Sequence, residues 1–270
     1  MDEDSATPPP SGRPKMIHRG PDGSRARPWW GIGDIGYGLL VFLGSSLVAG
    51  VVVVGVVLAT SHGGLRSGNI KIPTSLWVVL LSVAAGWVGF IGWPLVASRV
   101  KGFGSLKEDF GLSFKWVDLP MGVGVGLFAL FGTTAIGALW KSILGSDLPS
   151  NGDELGTSHY SAAGYIVLFI FVAMITPVAE ELFFRGLSMR AISKRYGAWW
   201  GIVASSILFG VLHVTTVSSL SAALVVPFIV GAYGFLFALI DSRVQRLGPS
   251  IVAHGIVNGA AVLSMALGAH

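Results

Sequence analysis

Apolar residues along the chain run in long, nearly unbroken blocks rather than alternating or recurring on one face of a helix. Seven such blocks, at about 33–59, 74–97, 118–140, 162–183, 198–215, 220–240 and 249–268, come close to or exceed the roughly 20 residues that a helix needs to cross a bilayer. The connectors between them are short and polar. The pattern predicts an all-α fold, a polytopic integral membrane helical bundle of about seven transmembrane helices. Residues 1–28 concentrate proline and charge and have little to bury, so they read as a disordered cytoplasmic tail. The first apolar block begins only at Trp29 and runs to about Ala59, too late and too long for a secretory signal, and is read as a retained span. Residues 29–150 then form an N-terminal three-helix membrane region and residues 151–270 a membrane core that carries the chemistry.

Composition agrees. Of 270 residues 52% are hydrophobic and 12% charged, against about 25% charged in a soluble domain, which argues against a soluble enzyme. The absence of cysteine excludes disulfides, thiolate zinc sites, iron–sulfur clusters and cysteine nucleophiles. The net charge of +4 could suggest a nucleic-acid partner, but the basic residues sit in alternate loops. Fifteen of the 18 Lys and Arg residues fall in the tail and in the loops around 99–115, 185–195 and 243–246, and only Arg66, Lys71 and Lys141 fall in the others. The positive-inside rule then places the N-terminus in the cytoplasm and the C-terminus on the far side. The partners implied are membrane lipid and a membrane-associated substrate, with no nucleic acid, in what is expected to be a bacterial plasma membrane. The 38 glycines suit close helix packing, with Gly122, Gly124, Gly126, Gly231 and Gly234 read as packing positions. Trp29, Trp30, Trp77, Trp116, Trp199 and Trp200 lie near span ends and read as interfacial anchors. No internal repeat is visible, which weighs against a transporter built from inverted halves.

Ionisable groups inside a span are costly and ask for a function. The fourth block ends with Glu180, Glu181 and Arg185, the fifth with His213, and the seventh carries His254 and Asn258 four residues apart on one helical face. If the fourth and fifth blocks form an antiparallel hairpin, the midpoint of 180 and 213 falls at Tyr196-Gly197, the turn signal between them. Glu180 and His213 then share a depth of roughly 24 Å above the turn at 1.5 Å per residue. His254 and Asn258 lie only some 8–14 Å from Pro249 by the same rise, so the depths match if the hairpin projects roughly 10 Å into the cytoplasm. Glu181 and Arg185 have the order of a stabilising i,i+4 ion pair and are given a structural role. Glu180 points about 100° away and is left for chemistry, since a carboxylate among apolar side chains is a better base than one in water. A histidine beside it can share the activation of water, and a second histidine with an amide can donate to a developing oxyanion. That combination suits acyl hydrolysis without a covalent intermediate. Glu180, His213 and His254 could equally ligate a divalent ion such as zinc, and no cofactor is otherwise implied. No HExxH is present, which excludes an ordinary zincin.

Three ordered elements carry a family resemblance: EExxxR as Glu180 to Arg185, FxxxH as Phe209 to His213, and HxxxN as His254 to Asn258. They resemble the CPBP family of CAAX proteases and bacteriocin-processing enzymes, also called Abi proteins, over roughly residues 162–265. The resemblance implies an intramembrane endopeptidase, whose eukaryotic relatives remove the last three residues of prenylated CAAX proteins. By it Glu180 and His213 activate water and His254 and Asn258 form the oxyanion site, with Glu181, Arg185 and Phe209 in support. The family has been described both as metal-dependent and as glutamate-dependent, and both remain open here. The three-residue spacing of Gly231 and Gly234 departs from the glycine pattern expected of the family.

The rival readings are a non-catalytic scaffold or bacteriocin self-immunity protein and a proton-coupled transporter with a Glu180–His213 relay. Gly31-Ile32-Gly33-Asp34 matches the GxGD of intramembrane aspartyl proteases, but Asp241 sits at a helix end among Arg243 and Arg246, so Asp34 is read as a helix start. Ser45-Ser46 and Ser205-Ser206 lack a rhomboid-like setting and read as packing hydroxyls. His18, His62, His159 and His270 read as solvated surface.

Overall fold

The computed structural model describes residues 28–60, 75–149, 160–216 and 220–268, and all regular structure among them is helical. The expected tail up to residue 27 and His18, His62, His159 and His270 lie outside the described residues. Six helices are long and apolar enough to cross a membrane: α1 (Ile32–Thr60), α2 (Leu76–Lys101), α4 (Asp118–Leu144), α5 (Ala162–Tyr196), α7 (Leu220–Val244) and α8 (Gly248–Leu267). A short α3 (Leu106–Phe110) follows α2. The seventh apolar block is α6 (Ala198–Leu212), whose 15 residues rise only about 22 Å. A single 3-10 turn, His213–Thr216, follows it. The protein is therefore an all-helical integral membrane protein, with six full-length spans and one short apolar helix in place of seven equal ones.

Local chemistry sets the element ends. Ser161 accepts the Gly164 N–H at 3.2 Å to start α5, and Ser105 accepts the Glu108 N–H at 3.3 Å to start α3, the side-chain capping that orphan N–H groups require. At Gly197 φ is +94° and ψ 161°, a region open essentially to glycine and costing other residues about 1–3 kcal/mol. It reverses the chain between α5 and α6 at the turn the sequence marks. Asp34 lies in the first turn of α1 and accepts the Gly31 N–H at 2.9 Å, while its other oxygen pairs with Lys101 at 2.6 Å. It is a helix-start residue as expected, and it also ties α1 to the end of α2.

The basic loops converge at one end of the bundle. Lys194 donates to the Trp30 carbonyl at 3.0 Å, Arg190 to the Gln245 carbonyl at 3.0 Å, and the Leu247 N–H to Gly111 O at 3.0 Å. Arg246 grips Asp118 through Nε at 2.8 Å. Trp30, expected as an interfacial anchor, is packed inside the protein at that end. It is 5% exposed, donates from Nε1 to Asp109 at 2.9 Å and lies under Lys194 at 3.8 Å. A polar partner for the indole nitrogen is what makes its burial tolerable. Trp77, Trp116, Trp199 and Trp200 are exposed.

Close helix approaches fall at glycines. A Cβ on Gly122 or Gly126 would strike α8 at Pro249 O or Ala253 O, whereas one on Gly124 meets open space, so Gly124 is not the packing position it was read to be. At Gly210 a Cβ would lie 2.2 Å from Pro227 O, on the seam between α6 and α7. Gly210→Ala should force that seam apart at a cost of about 1–3 kcal/mol, read as a lower Tm in detergent. Because His213 is three residues further on, the variant should lose function as well.

Candidate active site

Two unusual stretches of α5 frame the paired carboxylates. Residues Ile170–Ile175 and Leu182–Met189 are π-helical, with one α-helical turn and a half, Thr176–Glu181, between them. π-bulges inside α-helices often mark functional positions. Here the first has a local cause. The Thr176 N–H bonds to Phe171 O, and the next residue, Pro177, has no N–H to offer. The Val172 carbonyl is left to an outside donor, and Asn258 Nδ2 on α8 fills the role at 2.9 Å. One turn from it, Gly255 lets α8 approach so closely that a Cβ would stand 2.8 Å from Ala173 O.

Glu181 and Arg185 form the expected i,i+4 ion pair, Oε1 to Nη1 at 2.9 Å, with both side chains fully buried. The guanidinium also lies over Phe209 at 4.4 Å and Phe237 at 5.5 Å, so ring faces share its stabilisation. The same Glu181 Oε1 is 2.8 Å from His254 Nδ1. A carboxylate can only accept, so Nδ1 carries hydrogen and Nε2 is the atom left to act. That Nε2 points to Glu180 Oε2 at 3.6 Å. Phe237 stacks on the His254 ring at 5.6 Å, and Phe209 meets it edge-on at 5.6 Å.

Glu180 is turned about 100° from Glu181 along the helix, so that it touches His254 at one edge and borders an open cavity. With His213 it lines a cavity of about 500 Å³ whose walls include Thr176, Phe184, Leu212 and residues of α1 and α2. Glu180 Oε2 has no hydrogen-bond partner. His213 Nδ1 is 2.8 Å from Phe209 O; the carbonyl can only accept, so Nε2 holds the basic lone pair. Phe209 thus orients His213 through its backbone and packs under both histidines through its ring, 4.8 Å from the His213 centroid.

The fold brings together Glu180 with His213 across one cavity, and Glu180, Glu181 and His254 in one contact. Asn258 is placed at the α5 backbone, and neither it nor His254 lines the cavity. Among the described residues no group of three His, Asp or Glu side chains is placed to hold a metal ion. In the expected Glu180, His213, His254 set, His254 bonds Glu181 through Nδ1 and keeps Nε2 beside Glu180, an arrangement that does not disqualify it as a ligand.

The meeting of His254 with Glu180 also answers the depth question. His254 is six residues into α8 and Glu180 is 17 residues from Gly197, so the α5–α6 tip stands roughly 16–17 Å beyond the start of α8 at 1.5 Å per residue. The 35 residues of α5 span about 52 Å at the same rise, well over the roughly 30 Å hydrocarbon core.

Several polar residues at the site escaped sequence reading. Asp241 sits at a helix end as expected, in the last turn of α7, but it is 1% exposed and accepts from Ser250 Oγ at 2.5 Å. The only signal was an acid inside a 25-residue apolar helix, and the neighbouring Arg243 disguised it. Thr176 lines the cavity one turn before Glu180, held by Trp87 Nε1 at 3.1 Å, and nothing in the sequence flagged either.

Comparison with known proteins adds a class to this geometry. Residues 162–260 match the model of the family described as type II CAAX prenyl endopeptidase Rce1-like, a segment that holds all three motifs. The chain is also similar to the protein of Bacillus subtilis (strain 168) named "Putative membrane peptidase YdiL", at 24% identity over 152 residues. That stretch is 56% of each chain, so the match spans about half the length of that relative. No solved structure matches. The CAAX-protease resemblance carried by the three motifs is thus met by a family model and by a membrane-peptidase relative.

Proposed function

We propose that the chain is an intramembrane peptidase of the CAAX-protease type, which hydrolyses a peptide bond in a membrane-associated or lipid-anchored substrate. The observation that carries this reading is the pair Glu180 and His213 lining one cavity, with no hydrogen bond made to Glu180 Oε2. Water held between Glu180 and His213 Nε2 gives up a proton to Glu180 as its oxygen adds to the scissile carbonyl. His254, whose Nδ1 hydrogen is given to Glu181, can donate from Nε2 when the ring is doubly protonated, and Asn258 keeps a second amide hydrogen beside the one given to Val172; in those forms the two are assigned as donors to the oxyanion. Collapse of the tetrahedral intermediate breaks the C–N bond as the proton passes from Glu180 to the leaving nitrogen. No step uses a metal.

The clustering of the basic loops at one end supports a cytoplasmic N-terminus, with the site reached from the cytoplasmic side. The test is cleavage of quenched-fluorescence peptides, with and without a lipid anchor, by the purified protein in lipid vesicles beside its His213→Ala variant. Wild type should cleave, His213→Ala should be slower by on the order of 10²–10⁴, and a chelator should change neither rate. Undiminished cleavage by His213→Ala would sink the mechanism, and loss of wild-type activity on chelation would replace the metal-free step.

A further inference from the structure

The mechanism leaves one buried acid without a role. Asp241 is 1% exposed and belongs to α7, a helix apolar enough to cross a membrane, where an ionisable side chain is costly and asks for a function. Its carboxylate accepts from Ser250 Oγ at 2.5 Å. The Ser250 N–H, one of the free donors in the first turn of α8, faces the same carboxylate. The charges of Arg185, Glu181, Arg190 and Arg246 lie around it, yet Asp241 Oδ1 has no hydrogen-bond partner. Ser250 is what holds the acid in place.

That bond is one rung of a ladder between α7 and α8. Asp241 follows Phe237 by four residues and Ser250 precedes His254 by four, and Phe237 stacks on the His254 ring at 5.6 Å. In two antiparallel helices these are neighbouring rungs, about 6 Å apart at 1.5 Å per residue. The Ser250 side chain also faces Glu181, whose Oε1 is 2.8 Å from His254 Nδ1. Ser250 therefore stands between the unused acid and the carboxylate that orients His254. A slip of α8 along α7 would strip the buried Asp241 carboxylate of its donors at the full cost of desolvation, so the bond resists any change in the height of His254. We infer that Asp241 and Ser250 are positioning residues of the active site, whose bond sets α8 against α7 and so keeps His254 between Glu181 and Glu180; this rests on the peptidase reading above. Neither residue lines the cavity, and both fall outside the three motifs.

Asp241→Leu separates positioning from packing. Leucine removes a charge from an apolar helix, and the Ser250 hydroxyl keeps Leu247 O at 3.1 Å, so no hydroxyl is orphaned and the Tm in detergent should not fall. The kcat of this variant in vesicles should nevertheless fall about 10–100-fold, the cost of misplacing a reacting group by about 1 Å. KM should stay within about twofold, because no substrate contact is removed. Asp241→Asn, whose amide oxygen still accepts from Ser250, should keep most of the wild-type kcat. A second readout needs no activity. In nitrogen NMR of the protein carrying isotope-labelled histidine, the His254 signal, identified by its loss in His254→Gln, should report one state with hydrogen on Nδ1 in wild type and in Asp241→Asn. It should split into more than one state in Asp241→Leu and in Ser250→Ala, which removes the hydroxyl and leaves the acid. A His254 signal that stays single in both of these variants would overturn the assignment, and so would a wild-type kcat in Asp241→Leu. A His254 signal that responds as expected in a protein that cleaves no peptide would fail the peptidase reading and leave the positioning intact.

Discussion

Glu180→Gln will abolish cleavage, by at least about 10³-fold, and leave the Tm in detergent within a degree or two of wild type. The expectation follows from what the side chain touches. Its Oε2 accepts no hydrogen bond, and its neighbour, His254 Nε2, is at 3.6 Å, beyond hydrogen-bond reach. Glutamine keeps the shape and leaves no buried partner newly orphaned, so little stability is at stake. The amide cannot take a proton from water, and general-base removal costs on the order of 10²–10⁴ in rate. The adjacent residue gives the opposite pattern. Glu181→Gln removes the ion-pair partner of a fully buried guanidinium, so stability and activity should fall together. Two neighbouring carboxylates that separate in this way distinguish a catalytic acid from a structural one. Full cleavage in Glu180→Gln would end the proposed mechanism.

That division of labour was legible in the sequence because it depends only on helical geometry. Glu181 precedes Arg185 by four residues, and Glu180 is turned about 100° from it. The hairpin turn was legible for a similar reason, since Gly197 is a residue that tolerates φ of +94°. What stayed hidden involves contacts between distant segments. The bond from Asn258 to Val172 O depends on a π-helical register and on Pro177, and a 3.6-residue period contains neither. Trp30 looked like an interfacial tryptophan because its position near a span end is indistinguishable in sequence from that of Trp29. Only Asp109, 79 residues away, explains its burial. The burial of Asp241 was not legible because a helix end next to arginines carries no sign of the segment that covers it, where Ser250 bonds its carboxylate. The cavity walls from α1 and α2 have no motif at all, only small and apolar residues.

Arg185→Leu should be the most destabilising single change at the site, and its repair by a second change should separate stability from catalysis. Removing one member of a buried pair leaves the other uncompensated, at about 3–5 kcal/mol, roughly a 10 °C fall in Tm for a chain of this size. Here the survivor is Glu181, which still has His254 Nδ1 at 2.8 Å, so the loss should lie toward the lower figure. Replacing both charges, Glu181→Leu with Arg185→Leu, exchanges the pair for apolar groups among Leu182, Phe184, Phe209 and Phe237, all buried. Such exchanges are often neutral or stabilising, so the double variant should regain most of the lost Tm. Activity should not return with it. Without Glu181 nothing fixes which nitrogen of His254 carries hydrogen, and Nε2 no longer faces Glu180 in a defined state. A double variant that is stable and slow would make Glu181 the positioning residue of His254 as well as the partner of Arg185. A double variant that is stable and fast would reduce the Glu181–His254 bond to packing and leave water activation to Glu180 and His213.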